Sequence, residues 1–257
     1  MRIVLIGSGN VATVLGKKLS TSGHQILEVY SQTYTHAQTL ARSLGANAIA
    51  DPEQLTRDAD CYLLAVSDRA LEAVAGRLQL NELPVLHTAG SMSMDLLSAA
   101  STNYGVFYPL QSLRKEMNPT VEIPILINGV NGSTLLLART IAESISRQVM
   151  VANDESRKHL HISAVLVSNF VNFLYMQARD YCTAHHLPFA ILQPLIEHTA
   201  LRLRNYEPGE VQTGPAVRGD KNVLDDHLKL LEQYPDIQHL YREISAAIYR
   251  YTLNRNE

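Results

Sequence analysis

Three groups of residues in this 257-residue chain have the types and spacing for chemistry. The first is Gly7-Ser8-Gly9-Asn10-Val11-Ala12, a G-x-G-x-x-A pattern directly after the apolar run Arg2–Ile6. A glycine at 7 permits a tight turn, and one at 9 lets the backbone approach a pyrophosphate. A small residue at 12 lets the following helix pack closely on its strand. The N-terminus of that helix presents free N–H groups and positive potential to an anion. The second group ends the next apolar run as Tyr30-Ser31-Gln32-Thr33, with no carboxylate where an NAD enzyme places Asp or Glu against the ribose hydroxyls. Hydroxyls and an amide at Ser31, Gln32 and Thr33 can donate to a 2′-phosphate without repelling it, so NADP is favoured over NAD. Lys17 and Arg42 are the nearby cations.

The third group is scattered along the chain. Val66-Ser67-Asp68 closes a further apolar run, where a dinucleotide-binding sheet passes the nicotinamide ribose; Ser67 or Asp68 could equally be a helix cap. His87-Thr88-Ala89-Gly90-Ser91 follows the next run, and His87 is either an acid–base group or a histidine bonding a loop carbonyl. Ser91 and the Tyr108-Pro109-Leu110-Gln111 segment supply neighbouring walls for a substrate. Ser168-Asn169 and Asn172 interrupt the apolar stretch Leu160–Met176, with His161 two turns before Asn169 on roughly the same helix face. Such amides either bridge helices or face a substrate. Thr213–Asp220 combines Gly214 and Gly219 with Arg218, a guanidinium able to grip a carboxylate or phosphate in bidentate fashion. Asp220 is placed to cap the helix that follows, or to pair with Arg218.

These residues need a scaffold, and the apolar patterning predicts one. Strand-like runs at Arg2–Ile6, Gln25–Tyr30, Ala46–Ile49, Cys61–Val66, Val85–Thr88, Val106–Tyr108, Ile123–Asn128 and Gln148–Val151 alternate with helical patterns at Asn10–Ser22, Thr35–Leu44, Ala70–Leu78 and Ser133–Ser146. Alternation of this kind predicts an α/β fold, a Rossmann-like and mostly parallel sheet over residues 1–152. Residues 153–257 read as an all-α domain. A helix capped by Asn153 or Asp154 runs without Gly or Pro to His186, and others follow at Pro188–Arg204, Lys221–Gln233 and Ile237–Asn254. The Leu160–Met176 stretch is apolar on nearly every face. A domain this small cannot cover it alone, so a homodimer through the C-terminal domain is expected.

Composition excludes several classes. A formal net charge of -3 argues against nucleic-acid binding, and 46% hydrophobic with 18% charged residues is the balance of a folded core. The polar residues within Leu160–Met176 argue against a membrane span. Cys61 and Cys182 have no metal spacing, and the chain opens directly on a strand-like run. No metal and no signal peptide are therefore expected, and a cytoplasmic location is.

With these pieces together, the chain resembles Rossmann-like NADP-binding proteins whose C-terminal half is a domain of unassigned function, relatives of pyrroline-5-carboxylate reductase and the 6-phosphogluconate dehydrogenase-type enzymes. The resemblance rests on Gly7–Ala12, His87–Gly90, Tyr108–Gln111, Ser168-Asn169 and Thr213–Asp220 followed by His227-Leu228. It implies an N-terminal NADP-binding domain and a helical dimerisation domain. There are two departures: relatives carry His at the place of Tyr108, and the lysine that hydroxyacid dehydrogenases place four residues before their asparagine is Val165 here. The expected function is an NADP-dependent oxidoreductase acting on a small anionic metabolite. His87 and Asn169 are its catalytic candidates, and Ser91, Tyr108, Arg218 and Asp220 its substrate contacts. A non-catalytic NADP-binding sensor or scaffold is the rival, favoured by the missing lysine; methyl transfer is disfavoured by the second strand.

Overall fold

The structure, a computed structural model, describes residues 1–255. It divides into two compact units, Met1–Phe170 and Val171–Glu257.

The first unit is built on eight strands: β1 (Arg2–Ile6), β2 (Gln25–Tyr30), β3 (Asn47–Ile49), β4 (Cys61–Leu64), β5 (Val85–His87), β6 (Tyr104–Pro109), β7 (Ile125–Gly129) and β8 (Val149–Val151). Their order in the sheet is β3-β2-β1-β4-β5-β6-β7-β8, and every neighbouring pair is parallel except β6–β7. The expected mostly parallel, Rossmann-like sheet is therefore found. The chain leaves β1 toward β2 and β3, then returns to place β4 on the other side of β1. The crevice at the carboxyl ends of β1 and β4 is the topological switch point, where open α/β sheets bind ligands.

Both faces of the sheet are covered, which is why its strands read as near-continuous apolar runs. Ile3 and Leu5 point to the face packed by α1 (Asn10–Thr21), α2 (Tyr34–Leu44) and, farther along the sheet, α4 (Gly132–Glu143). Val4 and Ile6 point to the face packed by α3 (Asp68–Ala75) and the turn around Leu97. The register aligns Ile6 with Tyr30 and with Leu64, and Leu64 with His87. The loops that follow these four residues therefore emerge side by side. Helix α5 (Asp154–Ala164), capped by the Asn153 side chain on Ser156 N–H at 2.8 Å, completes the unit with the π-helical segment Val165–Phe170.

The second unit holds α6 (Val171–Ala184), α7 (Gln193–Leu201), α8 (Pro215–Arg218), α9 (Lys221–Leu230) and α10 (Pro235–Arg255). Helical residues run from Asp154 to Ala184, as the patterning predicts, but with a π-helical stretch in the middle. The helix expected over Pro188–Arg204 is broken into 3₁₀, α and 3₁₀ pieces, and the four-residue α8 lies in what reads as a loop. Few residues here are buried: Cys182, Ala216 and Leu231 are the buried hydrophobics among those described. Ile191 is 74% exposed, and Leu187, Leu195, Leu201 and Leu203 are exposed too. No helix among the described residues is long and apolar enough to cross a membrane.

Gly7 is the tightest point of the first unit. Its φ is +125°, and a Cβ there would lie 2.2 Å from the Ala65 carbonyl oxygen. Gly7→Ala should destabilise the protein by roughly 3 kcal/mol or more in urea unfolding, because the obstacle is backbone. Gly23→Ala, with φ +86° and nothing within 4 Å of the new methyl, should cost only about 1 kcal/mol.

Candidate active site

A cleft of about 910 Å³ opens at the switch point, lined by the loops after β1, β4, β5 and β6 and by α5 with its π-helical continuation. One wall is Gly9, Asn10 and Val11; another is Val66, Ser67 and Asp68; Tyr108, His161 and Asn169 line the rest.

The first wall has the features that an anionic dinucleotide requires. Ala12 is fully buried against the sheet, and Gly7 N–H donates to Tyr30 O at 2.7 Å, closing the turn. A Cβ on Gly9 would meet nothing within 4 Å, so the space beside its backbone is open. Gly9 is the N-cap of α1, whose first turn holds no acid and receives no side-chain cap. Ser8 Oγ donates to Ser31 Oγ at 2.8 Å and ties this turn to the end of β2. There Thr33 begins α2, again with no side-chain cap and no acid in the first turn, and Gln32 and Thr33 are exposed. The helices α4, α5 and α9 are, by contrast, capped by Asn131, Asn153 and Asp220. Uncapped N-termini without carboxylates suit a diphosphate at α1 and a 2′-phosphate at α2. The cations noted in the sequence do not contribute: Arg42 lies in the last turn of α2, and Lys17 in the second half of α1.

On the opposite side, Tyr108 Oη and His161 Nδ1 are hydrogen-bonded at 2.9 Å, with their rings edge to face. Gly90 backs this pair so closely that a Cβ would stand 2.7 Å from Tyr108 Cζ and 2.9 Å from His161 Nδ1. Burial, reinforced by the Asp68 carboxylate, pushes the Tyr108 phenol above its ordinary range, so it keeps its proton at neutral pH. The π-helical turn carries Ser168 and Asn169 onto the cleft together with His161. Ser168 Oγ bonds Ser112 Oγ at 2.8 Å, whereas Asn169 is exposed and makes no side-chain hydrogen bond among the described residues. Among the described residues no Lys or Arg lines the cleft, and Asp68 is its carboxylate. Among the described residues no cluster of His, Cys, Asp or Glu could hold a metal ion.

His87 is placed differently from its expected role as acid or base. Its ring is 0% exposed and does not line the cleft, although Thr88, Ala89 and Gly90 do. Nδ1 accepts from Ala89 N–H at 3.1 Å, and Nε2 has no partner among the described residues. Burial, with the Arg157 charge adding to it, lowers its pKa to about 4, so the imidazole is neutral at neutral pH. The strand's last residue points into the sheet's packing because strand side chains alternate faces, and this parity puts His87 behind the cleft. Ser91 is exposed at the rim, donating to Asp68 Oδ2 at 2.6 Å. Arg218 and Asp220 belong to the second unit. Arg218 is exposed and has no ion pair among the described residues, and Asp220 caps α9 through Val223 N–H at 3.5 Å. The alternative loop pair between them is not formed.

One buried group escaped the sequence reading. Arg157, on α5, is 0% exposed and donates to the Gly90 and Met92 carbonyls while pairing with Asp154 at 2.9 Å. The i,i+3 spacing of Asp154 and Arg157 was the available signal, but it looks the same on an exposed helix.

Comparisons with known proteins bear on the family, the fold and the cofactor. Residues 2–89 match the family model described as NADP oxidoreductase coenzyme F420-dependent, and residues 123–248 match a domain of unknown function, DUF2520. No curated protein matches the chain. Among solved structures, a Bacteroides fragilis protein described as a candidate NADP oxidoreductase is 36% identical, with 97% of this chain and 98% of that one covered at a TM-score of 0.87. A 1-pyrroline-5-carboxylate reductase from Streptococcus pyogenes is 14% identical, covering 97% and 98% at a TM-score of 0.68. An imine reductase from Myxococcus stipitatus in complex with NADP+ is 14% identical, covering 99% and 93% at 0.64. At such identities the last two establish a shared fold.

The depressed His87 pKa gives stability a defined pH dependence. The unfolded chain binds this proton near 6.5 and the fold only near 4, so the unfolded state gains protons first as pH falls. The contribution is complete above pH ~6.5 and is lost progressively down to about pH 4, amounting to on the order of 3 kcal/mol. His87→Asn, which keeps an acceptor for Ala89 N–H, should flatten the melting temperature between pH 7 and 4.5 relative to the parent. Equal slopes for the two proteins would remove His87 as the source.

Proposed function

The chain belongs to the family of proteins that join an NADP-oxidoreductase Rossmann domain to the domain of unknown function DUF2520, and on that premise we propose that it reduces a small anionic metabolite in the cleft at its switch point. The observation that carries this reading is the pairing, across one cleft, of an anion-ready glycine turn with the hydrogen-bonded Tyr108–His161 pair. We assign cofactor binding to residues 1–152 and substrate and subunit contacts to residues 153–257.

NADP is held in this reading by Gly7, Ser8, Gly9, Asn10 and Val11 at the diphosphate, by Ser31, Gln32 and Thr33 at the 2′-phosphate, and by Val66 and Ser67 beside the nicotinamide ribose. When bound, the reduced cofactor supplies a hydride to an electrophilic carbon. The protein must then deliver a proton to the neighbouring heteroatom, and Tyr108 is the residue placed to do it. Its phenol is protonated at neutral pH, and His161 Nδ1 lies within hydrogen-bond reach to share or replace that proton. His87 takes no part. Asn169, exposed on the cleft and with no side-chain hydrogen bond among the described residues, orients the substrate, with Ser91 acting through Asp68. The anionic character of the substrate is inferred from Arg218, which is exposed and has no ion pair among the described residues. The homodimer is supported by the apolar surface of the second unit, and the two free cysteines fit a reducing, cytoplasmic setting.

NADPH should raise the melting temperature of the parent and of Tyr108→Phe alike. In a screen of small oxo acids and imino acids that follows NADPH absorbance, the parent should turn over at least one compound, with Tyr108→Phe slower by about 10²- to 10⁴-fold. Stabilisation by NADPH with no turnover of any compound would favour a cofactor sensor. Sedimentation should return twice the 28.5 kDa chain mass, and Ile191→Asp should return the single mass. A monomeric parent at micromolar concentration would end the dimer reading.

A further inference from the structure

We propose that Arg157 and Asp154 are positioning residues for the Tyr108–His161 pair: a buried ion pair whose function is to set the position of the Gly90 backbone against which that pair rests. The inference rests on the reading of Tyr108 and His161 as the proton-handling groups, and adds what holds them.

The geometry is a short chain of contacts. Arg157 Nε donates to Gly90 O at 3.2 Å, and an Nη group donates to Met92 O. Asp154 pairs with Arg157 at 2.9 Å through Oδ1 and accepts from Met94 N–H through Oδ2 at 3.3 Å. One turn and a little more along the same helix stands His161. Thus α5 carries both the residue that grips the loop after β5 and the residue that receives Tyr108. Gly90 lies between these contacts, with room for no Cβ against Tyr108 and His161. A displacement of Gly90 by a few tenths of an ångström therefore reaches the Tyr108–His161 bond directly.

The cost of the arrangement also argues for a purpose. A guanidinium that is 0% exposed loses several kcal/mol of hydration, and its Nη1 has no partner among the described residues. Apolar packing could hold a loop at lower cost. What the guanidinium provides is a planar, directed fork that holds two carbonyls in fixed places.

The test uses the full-length protein and the His161 imidazole as probe. Long-range ¹H–¹⁵N NMR spectra of the ring distinguish a hydrogen-bonded Nδ1 from that of a free, exposed imidazole. Tyr108→Phe identifies the resonance and gives the unbonded pattern. Arg157→Lys keeps the charge and loses the fork; Asp154→Asn, at a partly exposed position, keeps the shape and covers the case in which Arg157→Lys does not fold. We expect loss of the bonded His161 pattern in these variants, with affinity for NADPH unchanged. A lowered melting temperature with the bonded His161 pattern intact would make the ion pair a loop tie and overturn the proposal. The spectrum reads geometry alone, so it decides this point even if Tyr108→Phe leaves turnover unaffected and the proton-handling reading itself fails.

Discussion

The approach of Gly7 to the Ala65 carbonyl is the constraint on which the rest of the first unit depends. β1 and β4 are hydrogen-bonded neighbours, so the loop leaving β1 must pass the end of β4. With no side chain at 7 the backbone can turn there into α1 while its N–H bonds Tyr30 O on the other side. That single turn aims the free N–H groups of α1 into the crevice. It also brings Ser8 to Ser31 and leaves the space beside Gly9 open. The cofactor wall is consequently a property of backbone more than of side chains, which is why few polar residues are needed to form it.

Charge is distributed in a way that complements this wall. Among the described residues the cleft is lined by hydroxyls, amides, the Asp68 carboxylate and His161, with no Lys or Arg. The nearest buried cation, Arg157, is turned away into the loop after β5, where it helps keep His87 neutral and slightly favours ionisation of Tyr108 against the larger effect of burial. In the proposed reaction the proton is handled by Tyr108 and His161, because the buried His87 imidazole is neutral and lies outside the cleft lining. For a dinucleotide bound mainly by N–H dipoles, the absence of lysines costs little.

That second unit has a different physical character. Its helices present Leu187, Ile191, Leu195, Leu201 and Leu203 to solvent while burying only a few small or medium side chains. Burial of apolar surface contributes about 25 cal/mol per Å², so helices left this bare lack their main source of stability. The proposed dimer follows from that shortage. The same shortage extends into the preceding π-helical segment, where Val167 is 75% exposed.

The glycine turn, the strand positions and the mostly parallel sheet were legible in the sequence, because local sterics and two-face burial leave a direct imprint on residue type. Gly7 and Ala12 carry that imprint in their own sizes, and β1 and β2 were readable to the residue. The missing carboxylate after Tyr30 was equally plain, and it pointed to NADP without any coordinates. Parity and burial were not legible. His87 looks like a catalytic histidine until strand alternation and register turn it behind the cleft, and no local pattern distinguishes the two faces of a strand covered on both. Arg157 looks like one more surface charge on a polar helix start. Only the packing of α5 on the loop after β5 converts it into a buried clamp. Tyr108 and His161 lie 53 positions apart. Their hydrogen bond exists because β6 and α5 converge on Gly90, and a contact between distant segments is decided by the fold as a whole.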